Sequence, residues 1–337
     1  MVEPKKIDLR TEWLGLELRS PVVLGASPLV DDIAAVQAAV AAGASAVVMR
    51  SLFEEQIVAE QMAVHRYLDT NIDTDAEART FLPGADVFPV GAEPYLALLK
   101  RLKAAVDVPV LASLNGVTPG GWLDAARRVA DAGADAIELN LYDVVIDPDE
   151  SSADVEARQL EVVARVAESV PVAVSVKLSP FYASLPSFAK RLKEAGARGA
   201  VLFNRFYQTD IDVESLDVKS TLHYSTSADL PLRLQGIAVI AGRLGLDLAA
   251  SGGVHTGLDA MKAILAGAAV VQVTSAALQR GASAFEAITR ELREKLAQIG
   301  YGNIREARGA MSLGHCPDPN AWERQNYVRI LRGWRPR

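Results

Sequence analysis

Cysteine is nearly missing from this chain: Cys316 is the only one among 337 residues. No disulfide can therefore close within it, and no iron–sulfur cluster can be held by its own thiolates. Histidine is scarce too, with His65, His223, His255 and His315 scattered and only His255 near the end of a predicted strand. Neither a His–carboxylate metal set nor a Ser–His–Asp arrangement is visible, so no metal is expected. Basic runs are lacking and the formal charge is −7, which removes nucleic acid and anionic membrane as natural partners. No apolar run reaches membrane-span length, and MVEPKKIDLRTEW lacks the apolar core of a signal peptide. The expectation is a soluble, cytoplasmic protein.

Half of the residues are apolar, enough to bury a large core; one barrel of ordinary size with insertions would use nearly all of the chain, although length alone would also allow two domains. The stretch 248–281, LAASGGVHTGLDAMKAILAGAAVVQVTSAALQRG, organises the rest. It reads as a buried strand, a Gly-Gly turn, a helix, a second apolar strand and the start of another helix. Turns of this kind at successive strand ends can converge on one dianion, because they present free N–H groups. Gly252 and Gly253 let the main chain approach an anion without a Cβ, Thr256 is placed to cap the next helix, and Thr274 and Ser275 offer hydroxyls and amides one repeat later.

From the start, the alternation over 7–19 predicts a two-stranded ribbon turning near Gly15, a plug or lid outside the barrel wall. Strands are predicted over 21–25, 44–49, 109–114, 136–141, 172–178 and 199–203, before the two of the anion-binding quarter. Helices are predicted over 33–42, 94–106, 121–132, 153–169, 185–195, 232–244 and 284–299. The repeated signals AAGA, DAGA and EAGA, at Ala41, Asp131 and Glu194, are glycine helix ends feeding straight into strands. Eight strands alternating with helices imply one α/β domain, a single (β/α)8 TIM barrel over 1–302. It carries the N-terminal ribbon (1–20), strand-end insertions at 52–90 and 204–229, and a polar C-terminal tail (303–337) packing on the barrel or a partner with Trp322, Tyr327 and Trp334 as anchors.

Barrel chemistry sits at the C-terminal strand ends. These offer Ala26 and Ser27, Arg50 and Ser51, Asn115, Glu138, Asn140, Tyr142 and Asp143, Lys177, Asn204, Gly252 and Gly253, and Thr274 and Ser275. Asparagine amides suit a flat heterocycle rich in C=O and N–H groups, and a buried lysine can stabilise negative charge developing on such a ring. Lys177 can equally be an interior ion-pair partner of Glu138, or a Schiff-base nucleophile. Asn140 and Asn204 have a plain turn-forming alternative, and Arg50 can simply cap a strand end.

The series SPVVLGASP, ELNLY, VSVKLSP, VLFNRF and SGGVHTGLDAMKAILAGAAVVQVTSAAL resembles the FMN-dependent dihydroorotate dehydrogenase family, above all its dihydroorotate dehydrogenase-like branch, over about residues 14–302. The resemblance implies FMN as cofactor. Ala26 and Ser27 would lie against it, Arg50, Ser51 and Lys177 would contact its ring system, and Gly252, Gly253, Thr274 and Ser275 would hold its phosphate. Asn140 and Asn204 would face both flavin and substrate, with Asn115 as an additional substrate-side amide. Arg50 stands where the family usually has lysine, a change that keeps charge but not geometry. Family members follow the ELN strand with a catalytic Cys or Ser; here Tyr142 and Asp143 occupy that segment. Asp143 is aligned with the base, and Tyr142 would need strong activation to serve. Asp143 can also be an ordinary loop or cap residue.

Three functions follow. The first is an FMN-dependent dehydrogenase of pyrimidine biosynthesis, oxidising dihydroorotate to orotate, or a related cyclic amide, by hydride transfer to flavin N5. The second is a non-redox lyase with a Schiff base on Lys177 and a phosphate in the cradle. The third is an FMN electron-relay subunit without dihydroorotate activity. A homodimer, with or without an electron-transfer partner subunit, is implied by the resemblance.

Overall fold

Four helices of this protein end on the same backbone device. In Ile33–Ala41, Pro119–Asp131, Leu185–Glu194 and Gly257–Ala266 the chain turns at Gly43, Gly133, Gly196 and Gly267, all at positive φ. The alanine after each glycine then bonds back across six residues: Ala44 N–H to Ala39 O, Ala134 to Val129, Ala197 to Leu192 and Ala268 to Ala263, at 2.9–3.2 Å. Such closure satisfies helix-end carbonyls that would otherwise be orphaned. The next residue enters the sheet at once, Ser45 N–H reaching Val22 O and Arg198 N–H reaching Val174 O.

The computed structural model describes residues 7–53, 92–116, 119–141, 144–204, 209–219, 221–323 and 325–333. Eight parallel strands close into a barrel in the order β11-β12-β3-β4-β5-β6-β7-β8. They are β3 (Val22–Leu24), β4 (Val47–Phe53), β5 (Val110–Asn115), β6 (Ala136–Asn140), β7 (Ala173–Leu178), β8 (Gly199–Leu202), β11 (Asp247–Ser251) and β12 (Val270–Val273). This is the (β/α)8 barrel expected from the repeat of strand and helix. Most predicted bounds move by one to three residues. Two ends move by four: the helix predicted over 232–244 stops at Ile240, and β4 runs through Arg50 and Ser51 to Phe53 instead of ending at Met49. Between Val48 and Ser51 it holds one residue more than β5 does opposite, a bulge that twists the strand and re-aims Arg50.

The outer faces of the strands and the inner faces of the helices form one large apolar core. A second cluster fills the inside of the barrel at its N-terminal end, where Val23, Val48, Leu111, Ala136, Val201, Ala249 and Val270 meet Trp13, Leu14 and Leu18 of the ribbon. The ribbon is a hairpin of β1 (Thr11–Trp13) and β2 (Leu16–Leu18), and it is a plug. Leu14 N–H donates to Asp247 Oδ2 at 3.0 Å and Thr11 Oγ1 to Ala269 O at 3.1 Å, pinning it to the starts of β11 and β12. The Trp13 side chain is fully buried, with its Nε1 lacking a partner among the described residues.

Of the insertions, 52–90 lies outside the described residues apart from Leu52 and Phe53. The second, 204–229, is more regular than its sequence suggests: β9 (Asp210–Asp212) and β10 (Asp217–Lys219) pair as an antiparallel hairpin. Past residue 303 the chain bonds to the helices Leu230–Ile240 and Gly257–Ala266, through Gly309 N–H to Ile264 O, Met311 N–H to Leu265 O and Leu313 N–H to Ala238 O. Trp322 donates to Met311 O at 3.0 Å and its own carbonyl accepts from Gln235. Tyr327, expected as a second anchor, stands 65% exposed, and Trp334 lies outside the described residues. No described helix is long and apolar enough to cross a membrane.

Candidate active site

Side chains alternate along a strand, so the residues two places above the apolar interior layer point into the barrel as well. At this level the interior turns polar: Ser113, Glu138, Ser175 and Gln272 succeed Leu111, Ala136, Ala173 and Val270, with Lys177 one step higher. Glu138, Lys177 and Gln272 close a ring of hydrogen bonds. Lys177 Nζ donates to Glu138 Oε1 and to Gln272 Oε1, each at 3.3 Å, and Gln272 Nε2 donates to Glu138 Oε2 at 2.5 Å. All three are buried. The ion pair is neutral overall, and the amide satisfies both charged groups with the one orientation that suits them, which is what a charge pair needs in a water-poor interior. Among the described residues the third N–H of Lys177 is left for another acceptor.

Above the ring, Asn204 Nδ2 donates to Asn140 Oδ1 at 3.0 Å. Asn140 is paired across the sheet with Lys177, so the two expected amides and the lysine share one wall of the mouth. Ser51 Oγ and Ser113 Oγ are 2.8 Å apart, and Ser113 is held twice by Tyr95, whose hydroxyl donates to Ser113 O and accepts from Ser113 N–H. Burial pushes the Tyr95 phenol well above its ordinary range, so it remains a neutral O–H able to do both. Asn115 ends β5 opposite Phe53 and shares that strand's inner face with Ser113; no bond joins it to Asn140 or Asn204. Arg50 is drawn aside, its Nε donating to both oxygens of Asp31 at 2.7 and 3.0 Å. On the facing wall Ala26 packs against the interior cluster, and Ser27 is buried with its Oγ unpartnered among the described residues. Tyr142 and Asp143 lie outside the described residues.

The cradle forms at the ends of β11 and β12. Gly252 and Gly253 take φ of +86° and +83°, a region costly for any residue with a Cβ. A Cβ on Gly253 would stand 2.5 Å from the backbone nitrogen of Leu230, the first residue of the helix Leu230–Ile240. Behind Gly252 runs Arg233, buried, its Nε on Ser251 O at 3.0 Å and Nη1 on Asp229 O at 2.9 Å. Ser225 bridges the two turns: its Oγ accepts from Gly253 N–H at 3.2 Å, and its N–H and Oγ both donate to Ser275 Oγ at 3.0 and 2.9 Å. Thr274 precedes the helix Ser275–Arg280, with its Oγ1 against Gly25 so closely that a Cβ there would lie 2.3 Å away. Thr256 caps the helix Gly257–Ala266 in a capping box with Asp259, as expected.

Three residues here escape a reading of strand ends. Gln272 had a signal, since an amide inside the apolar run VVQV must find buried partners. Arg233 and Ser225 carry weaker ones, an arginine one turn into an apolar helix and one serine in a Ser/Thr-rich loop. Among the described residues no group of three or more His, Cys, Asp or Glu is placed to hold a metal ion. A cleft of about 700 Å³ lies at the opposite end, lined by Asp8, Arg10, Glu17, Arg19 and Arg305, away from this chemistry.

A parallel barrel with a glycine cradle at two successive strand ends and a charged, hydrogen-bonded interior beneath its C-terminal mouth defines the class of barrel enzymes that work at that mouth. Within the class the comparison is specific: the dihydroorotate dehydrogenase family profile matches residues 84–296. The chain belongs to that family and is an oxidoreductase. It is 31% identical over 226 residues to the catalytic subunit of dihydroorotate dehydrogenase B (NAD(+)) of Methanosarcina mazei, covering 64% of this chain and 69% of that one. With the same subunit of Pyrococcus abyssi it shares 29% over 227 residues, 65% of this chain and 74% of that one. With the NAD-dependent dihydropyrimidine dehydrogenase subunit PreA of Escherichia coli it shares 29% over 241 residues, 67% of this chain and 58% of that one.

Proposed function

We propose that this protein is an FMN-dependent dehydrogenase that oxidises dihydroorotate, or a related cyclic amide, at a CH–CH bond. The observation that carries this reading is the ring of Glu138, Lys177 and Gln272. Two oxygen acceptors hold the Lys177 Nζ as a donor, which suits stabilising negative charge on a bound ring and opposes a Schiff base, for which the amine must be free to attack.

The residues present fit the cofactor. The cradle of Gly252 and Gly253, with Thr274, Ser275 and the newly found Ser225, suits its phosphate, and Arg233 sets a fixed positive charge behind it. The buried Ser27 hydroxyl, without a partner among the described residues, would face the ring system together with Ala26. Bound FMN supplies a ring that takes a hydride at N5. Lys177 would donate to that ring, Ser51 would line it, and Asn140 and Asn204 would orient flavin and substrate, with Asn115 on the substrate side. Arg50 would contact the ring only after leaving Asp31. The proton from the carbon next to the hydride donor is assigned to Asp143, with Tyr142 as the alternative base. We also place the protein in the cytoplasm, as a homodimer that passes its electrons to a soluble acceptor or a partner subunit. Relatives named as catalytic subunits support a partner, and the dihydropyrimidine dehydrogenase subunit supports a cyclic amide substrate.

The test is the visible absorption spectrum of the purified protein before and after anaerobic addition of dihydroorotate. Flavin bands that bleach are expected. Bands that persist would remove dihydroorotate and move the reading to another cyclic amide or to electron relay. A colourless protein that takes up no added FMN would overturn it in favour of the lysine lyase.

A further inference from the structure

The two strands that end on the glycine cradle begin, at the opposite face of the barrel, among three further glycine turns. The turn after the helix Leu230–Ile240 carries Gly242 and Gly245 at φ of +72° and +64°. The turn after Gly257–Ala266 carries Gly267 at +126°, and the C-terminal tail carries Gly309 at +78°. The tail is fixed against both helices, through Gly309 N–H to Ile264 O and Leu313 N–H to Ala238 O. Between the three turns and the starts of β11 and β12 lies a cavity of about 330 Å³, the size at which small-molecule sites begin. The site at the other mouth makes no use of it.

Its lining offers donors that nothing in the chain takes up. Arg308 is exposed, and its one hydrogen bond among the described residues is a long one, 3.5 Å to Glu12 O, so no carboxylate there pairs with it. His315 packs beside Gly242, whose Cβ, if it had one, would meet Cε1 of the ring at 3.9 Å. Its Nδ1 stands 3.1 Å from the Oγ of Ser312, which is buried. That bond engages Nδ1 and leaves Nε2 open to a ligand. An anion at Nε2 selects the form that carries a proton there, whether Ser312 donates to a neutral ring or accepts from an imidazolium. The backbone N–H groups of Gly242, Gly245 and Leu246, all in the lining, meet no acceptor among the described residues. The acid of the lining, Asp247, is already committed: its Oδ2 accepts from Leu14 N–H at 3.0 Å and from Arg198 Nε at 3.4 Å.

We propose that this cavity binds a small phosphate ester, with the phosphate on Arg308, His315 Nε2 and the N–H groups of the 242–246 turn. Glycine turns with unpaired N–H groups form anion-binding concavities, and the missing Cβ atoms let the backbone come close. A guanidinium, an imidazole and main-chain donors reach a ligand from different elements, which suits the tetrahedral oxygens of phosphate better than a planar carboxylate. The space beyond the phosphate fits a body of about pentose size.

Calorimetric titration of the full-length protein, supplied with excess FMN so that the cradle is not the vacant partner, tests this. The probes are inorganic phosphate, ribose 5-phosphate and ribose. Both phosphates are expected to bind, ribose 5-phosphate the tighter, and ribose to give no signal. Arg308→Gln should weaken ribose 5-phosphate about tenfold or more and His315→Gln by several-fold. Arg305→Gln, which removes a neighbouring arginine outside this lining, should leave binding unchanged. Because these variants lie away from the cradle, they locate the binding whatever the cofactor reading proves to be. Absence of binding by either phosphate would overturn the site. Binding that survives both Arg308→Gln and His315→Gln would place it elsewhere and overturn it equally, and equal affinity for the two phosphates would overturn the ester.

Discussion

The two mouths of this barrel are built from the same strands and treated in opposite ways. At the N-terminal mouth the interior is small, apolar and filled, with Trp13, Leu14 and Leu18 of the ribbon inserted among Leu111, Val201 and Val270. At the C-terminal mouth, one side-chain layer later, the same strands supply Ser113, Glu138, Ser175, Lys177 and Gln272. A plug lets the lower half be stabilised by burial alone. The upper half can then carry a charge pair whose contribution to stability is small and whose use is chemical. Stability and chemistry are thus separated by about two residues along the strands that carry both layers.

The largest expected effect breaks that separation from above. Glu138→Leu leaves Lys177 buried without its carboxylate and should cost about 3–5 kcal/mol in urea unfolding. A loss under about 1 kcal/mol with flavin binding intact would remove the ring from the account of the site. Trp13→Ala tests the lower mouth. It should cost a comparable ~3–5 kcal/mol through the cavity it opens, while the folded protein keeps its flavin affinity. If that affinity falls as far as in Glu138→Leu, the two mouths are not independent. Gly253→Ala is smaller in stability, about 1–3 kcal/mol for the positive φ and the contact with Leu230, and sharper in function. FMN affinity, followed by fluorescence quenching, should fall about tenfold or more; unchanged affinity would move the cradle elsewhere. The smallest effect lies back at the plugged end. Arg10 donates to Asp8 and holds its carboxyl at about 2 against an ordinary 3.8. A depressed folded-state value stabilises above the unfolded pKa and is lost as pH falls from about 4 toward about 2. Asp8→Asn should flatten that part of the acid unfolding curve and leave neutral-pH stability nearly unchanged, since both groups are exposed at the surface.

Much of the frame was legible because it is written locally. The AAGA, DAGA and EAGA helix ends, the alternation of the ribbon and the Gly252-Gly253 turn each occupy a few consecutive residues, and each forms from backbone preferences alone. The bulge in β4 was not legible, because its extra residue exists only relative to β5. The β9–β10 hairpin was missed for another reason: its alternation is brief and sits in a loop-like, acidic stretch without the turn glycine that marks a tight hairpin. In the site, Lys177 is visible as a charge ending an apolar strand, with Glu138 as one of its candidate partners. Gln272 and Ser225 join the picture only through contacts across 95 and 134 residues in one case, and 28 and 50 in the other. No window along the chain spans such distances.

The ring of Glu138, Lys177 and Gln272 also orders the making of the protein. In the closed barrel β6 and β12 stand on opposite sides, four strands apart by either route, so the bond from Gln272 to Glu138 spans the diameter. During synthesis the acid and the lysine emerge long before the amide. A chain that has reached β7 holds both charges with the ring open, in a sheet whose inner face water can still reach. Only when the last quarter arrives can those charges be sealed from solvent with the amide of Gln272 bonded to both. A half-barrel can bury the apolar face under its helices but cannot seal this interior, and the final strand to be made is the one that allows the interior to dry.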